Sequence, residues 1–134
     1  MPFDPNNLHD LQFSTEKQIM DRKSARIAPR DFAIPVAAMA NADGGYLAIG
    51  IEDDGRITGI DDYEKNVNEL LRVPFDFCVL SVGVENHTME VTDQNGKPNH
   101  ILLMHVFPSS QVIANQADDV FLRIGDKSKK LNFE

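Results

Sequence analysis

The sequence predicts an α+β fold, and three observations carry that expectation. An alanine-rich apolar run at residues 31–40 has the composition of a helix, a second helical segment falls at 63–72, and from residue 77 onward the chain consists of short apolar or alternating runs cut by turn residues. With 134 residues, no internal repeat and no linker, one domain is expected, large enough to stand without disulfides or a structural metal.

Taken in order, residues 1–14 read as an extended lead-in to a domain at 15–134, because Pro2, Pro5, Asn6 and Asn7 give helix or strand little support. Asp31 is a good N-cap for the helix that follows, with Pro35 near its first turn and a stop between Asn41 and Gly45. Residues 46–51, bounded by Gly44-Gly45 and by Asp53-Asp54-Gly55, suit a buried central strand, and residues 56–60 return from that turn as a hairpin partner. Asp61 or Asp62 caps the second helix, with Pro74 as its stop. Strands are expected at 77–85, 87–92, 101–107 and 120–124, with Asn95-Gly96 as a hairpin turn.

The amino terminus lacks the basic start and apolar run of a signal peptide, and nothing approaches the roughly 18 apolar residues of a membrane span. A single cysteine, Cys78, excludes an internal disulfide, so the expected location is the cytoplasm, away from membranes. The four histidines are scattered without a partner at helical spacing or a cysteine pair, which argues against zinc. No phosphate-binding Gly-x4-Gly-Lys-Ser/Thr and no Gly-x-Ser-x-Gly occurs, and no small-molecule substrate or cofactor is expected.

The net charge of −8 weighs against a polyanionic partner, but the charge is unevenly distributed. Residues 17–30 carry +4 and residues 123–130 carry +3, whereas residues 31–122 between them carry −11. The basic segments read either as one patch for nucleic acid or as solvated surface.

Three blocks resemble a known family. They are Asp21-Arg-Lys-Ser-Ala-Arg-Ile-Ala-Pro-Arg-Asp-Phe-Ala, then Met39-Ala-Asn-Ala-Asp-Gly-Gly-Tyr-Leu-Ala-Ile-Gly-Ile-Glu-Asp-Asp-Gly-Arg-Ile-Thr-Gly-Ile, and Val120-Phe-Leu-Arg-Ile-Gly-Asp-Lys-Ser. In content and order they are similar to the signature blocks of the Schlafen/AlbA-like domain. The resemblance implies a central mixed, mostly antiparallel sheet with flanking helices, placed at the front of a longer bacterial transcriptional regulator. It also implies nucleic-acid binding, with DNA expected ahead of RNA, and it leaves room for a homodimer.

On that reading Lys23, Arg26, Arg123 and Lys127 are the candidate phosphate contacts. Arg123 leads, since a guanidinium on a rigid strand presents a fork at little ordering cost, although a salt bridge to an acid such as Asp43 or Asp53 would claim it instead. Asn41-Ala-Asp-Gly-Gly reads either as a sharp helix exit or as a phosphate-binding nest.

The resemblance also implies an alternative, a Mg- or Mn-dependent endoribonuclease using Glu16, Asp21, Lys23, Glu52 and Asp53. Converging carboxylates hold a divalent ion that activates water, and a lysine steadies the transition state. This chain departs from that pattern with Asp21 for Glu and Arg22 for Phe. A binding module is therefore expected ahead of an enzyme, with no catalytic or metal residue assigned. A non-catalytic interaction or dimerisation module is the remaining reading, motivated by the acidic middle.

Overall fold

The computed structural model describes residues 3–15 and 18–131. In chain order the elements are α1 (Leu8–Phe13), β1 (Met20–Lys23), α2 (Pro29–Ala40), β2 (Gly45–Ile49), a 3-10 turn (Asp61–Tyr63), α3 (Glu64–Asp76), β3 (Cys78–Val79), β4 (Val84–Thr92), β5 (Pro98–Val106), β6 (Ala114–Asn115), β7 (Phe121–Ile124) and β8 (Lys127–Lys130). The main sheet runs β1-β2-β5-β4, with β1 parallel to β2 and the other pairs antiparallel. The fold is therefore α+β with a mixed, mostly antiparallel sheet, and two small ribbons, β3-β6 and β7-β8, complete it.

Strand alternation separates two cores. Leu47 and Ile49 of β2 face α2 and α3 and pack with Phe32, Val36, Leu70 and Met104. Ala48 points the other way and joins Leu11, Met20, Ile51, Ile101 and Leu103 beneath α1. Burying a side chain the size of Phe32, which is wholly inaccessible, contributes about 2–3 kcal/mol.

The helices differ from expectation at their ends. Residues 8–13, expected to be extended, form α1, because the Asn7 side chain accepts from the Asp10 N–H at 3.1 Å and Leu11 is driven into the second core. α2 starts at Pro29, two residues before Asp31, with proline at the first helical position. Asp31 lies in the first turn, where the helix dipole favours a carboxylate, and Pro35 falls deeper inside the helix than expected. α3 runs through Pro74 to Asp76, so that proline sits in its last turn instead of ending it.

The strands differ more. The hairpin expected at 46–60 reduces to one bridge, Ile51 with Ile57. The return segment is claimed elsewhere: the Thr58 and Gly59 N–H groups bond to Gly50 O, and the Ile60 and Asp61 N–H groups reach the buried Asn99 amide oxygen. Gly59 is obligatory at φ +77, since a Cβ there would lie 2.1 Å from the Asn99 side chain. Residues 84–92 form one nine-residue strand where two shorter strands at 77–85 and 87–92 were expected, and the turn at Asn95-Gly96 follows it as expected.

Candidate nucleic-acid interface

The candidate interface lies on β1 and on the β7-β8 ribbon, which packs against α2. Arg123 of β7 has only 3% of its surface exposed, and Asp21 of β1 only 5%. The Arg123 guanidinium donates to Asp21 Oδ2 at 3.1 Å, to the Met20 carbonyl at 3.3 Å and to Ser128 Oγ at 3.4 Å. Lys23 Nζ lies 3.4 Å from the same Asp21 oxygen. A chain of contacts, Lys23–Asp21–Arg123–Ser128, thus joins the two basic segments across about a hundred residues of sequence.

This corrects the expectation for Arg123. It is an internal tie, and neither Asp43 nor Asp53 but Asp21 receives it, because the parallel β1 lies beside β7 in space. The side chains that reach the surface are its neighbours. With Arg123 opposite Ser128 and facing inward, alternation turns Leu122, Ile124, Lys127 and Lys129 outward, and Ile124 is 49% exposed. Gly125, at φ +60, supplies the turn between the strands. Lys130 faces the other way and pairs with Asp119 at 3.1 Å.

The remaining candidates, Lys23 and Arg26, pair with acids outside the ribbon, Asp21 and Glu52. Lys23 is about a quarter exposed at its side chain. Arg26 is 60% exposed and pairs with Glu52 at 2.9 Å, while the other Glu52 oxygen accepts from Thr58 Oγ1 at 2.8 Å. Arg22, in the same basic segment, is buried: its Nε donates to the Leu11 carbonyl at 2.6 Å and its Nη2 to the Ser14 carbonyl, which ties α1 to the sheet.

For a divalent ion, the described members of the nuclease set do not fit. Asp21 is engaged by Arg123, by Lys23 and by the Arg22 N–H at 2.8 Å, Glu52 is engaged by Arg26 and Thr58, and Asp53 stands exposed in a turn. No group of three or more His, Cys, Asp or Glu side chains converges among the described residues, and Glu16 lies outside them.

Two asparagines hold the fold through side-chain bonds that sequence reasoning did not assign, and of these Asn41 supports the ribbon. Asn41, at the C-cap of α2, donates to the carbonyls of Ile113 and Phe121 and accepts from the Ile113 N–H, all at 2.8 Å, so it fastens the segment that leads into β7. The stretch it begins is a helix exit: the Ala42 and Gly44 N–H groups both bond to Met39 O, and a Cβ at Gly44 would lie 2.6 Å from Val106 O. The second asparagine, Asn99, donates to Asp93 Oδ2 at 3.0 Å. That bond, with the N–H groups of Lys97 and Asn95, holds the Asp93 carboxyl below the usual range. Cys78 is packed in the first core, and that burial pushes its thiol up to about 11. Among the described residues no helix is long and apolar enough to cross a membrane.

A domain with this sheet, these flanking helices and the three sequence blocks in place is matched over residues 16–132 by the family model described as "Schlafen, AlbA_2". The chain belongs to the Schlafen AlbA_2 family. Among solved structures it is similar to the crystal structure of the DIP2311 protein from Corynebacterium diphtheriae, at 23% identity and a TM-score of 0.49, over 98% of this chain and 21% of that one. The chain therefore spans about a fifth of the length of that protein. No curated protein matches it.

Proposed function

We propose that this domain binds nucleic-acid backbone, as a DNA-binding module of a transcriptional regulator, through Lys127 and Lys129 on the outer face of the β7-β8 ribbon together with Lys23 and Arg26. One observation supports this above the others: the buried Arg123–Asp21 tie places the lysine-bearing ribbon beside the basic segment of β1. On this reading the two cationic stretches, separated in sequence by an acidic middle, act together on one backbone. Ribbons present side chains to a phosphate backbone in register, and Arg123 works here as a positioning residue that holds the ribbon's angle.

The test is a titration against duplex DNA, single-stranded DNA and structured RNA at two salt concentrations. Duplex DNA is expected to bind most tightly, with log K falling against log salt by about 0.9 per phosphate contact. Lys127→Glu with Lys129→Glu is expected to weaken binding at least tenfold while the thermal midpoint stays unchanged. Undiminished affinity in that double variant would remove the ribbon from the interface, and tighter binding to RNA would replace the DNA assignment.

A further inference from the structure

The sheet has two edges, and the fold treats them differently. At β1 two outward main-chain groups are taken by side chains: Arg123 donates to the Met20 carbonyl, and the Arg22 N–H goes to the Asp21 carboxylate. At β4, the other edge, nine residues pair on one side only among the described residues, in unbroken register from Val84 opposite Val106 to Thr92 opposite Pro98. Of the devices that blunt an edge, Val84–Thr92 has no proline, no lysine and no bulge; it does carry charge at Glu85, paired with His87 at 3.2 Å, and at Glu90.

We propose that β4 is the site where a second copy of this chain docks, antiparallel and edge to edge, so that two four-stranded sheets become one. The direction of each main-chain group on β4 follows from the hydrogen bonds at its ends. The Phe107 N–H bonds to Gly83 O at 2.9 Å and the Asp93 N–H to Lys97 O at 2.8 Å, so odd-numbered residues bond inward to β5. The N–H and C=O groups of Val84, Asn86, Thr88, Glu90 and Thr92 therefore point outward.

A twofold axis perpendicular to the sheet keeps each side chain on its own face, so these outward residues must oppose one another. The register centred on Thr88 satisfies this and uses the whole strand, with about ten main-chain hydrogen bonds. It sets Asn86 against Glu90 of the second copy, twice, an amide facing a carboxylate. Glu85 falls opposite Val91 and His87 opposite Met89, so no like charges stand directly opposite. On the face toward α3, a groove of about 360 Å3 lined by Ile60, Val67, Leu71, Thr88 and Leu102 reaches this edge and would continue into its counterpart.

The measurement is the mass of the 134-residue chain by sedimentation across a wide concentration range, at low and high salt. A dimer is expected, and salt should strengthen it by screening two net charges of −8, whereas nucleic-acid binding weakens with salt. Thr88→Pro, which removes the central outward N–H at a position an edge tolerates, is expected to leave a folded monomer. Asn86→Asp should weaken dimerisation roughly tenfold by opposing two carboxylates, and adding Glu90→Lys should restore it. The second pair of variants decides the matter should Thr88→Pro fail to fold. A monomer at every concentration, or a dimer unmoved by Asn86→Asp, would overturn the proposal. Neither outcome bears on the lysine ribbon.

Discussion

The Arg123–Asp21 pair is buried at both ends, and its energetics follow from that burial. Two charges withdrawn from water gain little over apolar replacements, but removal of one partner strands the other. Arg123→Met is therefore expected to cost about 3 kcal/mol or more by chemical denaturation, with Lys23 compensating in part. The Arg123→Met, Asp21→Asn double variant should cost clearly less than the sum of the two single changes. Equal and additive losses would mean the pair does not act as a unit.

Asp93 gives the residue scale a pH signature. Its folded-state pKa is depressed, first by the Asn99 amide and then by the Lys97 N–H. The associated stability is present above the unfolded value, near 3.9 for aspartate, and disappears as pH falls through the folded value. Carboxyl-carbon NMR is expected to find Asp93 titrating below the ordinary aspartate value, and Asn99→Ala should move it upward.

At the scale of elements, the β7-β8 ribbon is held at both ends, by Arg123 against β1 and by Asn41 through the segment that precedes it. Asn41 makes three hydrogen bonds, and two of its partners are main-chain groups of Ile113. Loss of these bonds at Asn41→Ala should lower stability by about 2–3 kcal/mol. Hydrogen exchange should quicken first at residues 113–121, ahead of the main sheet. Unchanged protection there would show that the ribbon is anchored by Arg123 alone. The sheet's two edges belong to the same scale, since side-chain capping at β1 and bare main chain at β4 are what distinguish a finished edge from one able to extend.

For the whole molecule, the net charge of −8 averages segments of opposite sign, +4 at residues 17–30, −11 at 31–122 and +3 at 123–130. The two proposed associations answer to salt with opposite sign, since one is attraction to a polyanion and the other must overcome repulsion between like-charged copies. A salt series on the same preparation therefore distinguishes the ribbon from the edge without any variant.

What local sequence determined were features whose cause lies within a few residues: the alanine-rich α2, the α3 segment, the Asn95-Gly96 turn, the strand at 121–124 and the family blocks. Apolar periodicity and turn chemistry act at that range, and they were enough for the α+β class. Tertiary structure decided the rest. Residues 8–13 became a helix because Leu11 found a core and Arg22 bound the carbonyls at the helix end, and 56–60 did not pair as a strand because Asn99 and Gly50 took the N–H groups of that segment. Arg123 went inward because Asp21, 102 residues earlier, offered a buried carboxylate. A hydrogen-bonding group is committed by whichever partner arrives in space, and that assignment is not encoded in its sequence neighbours.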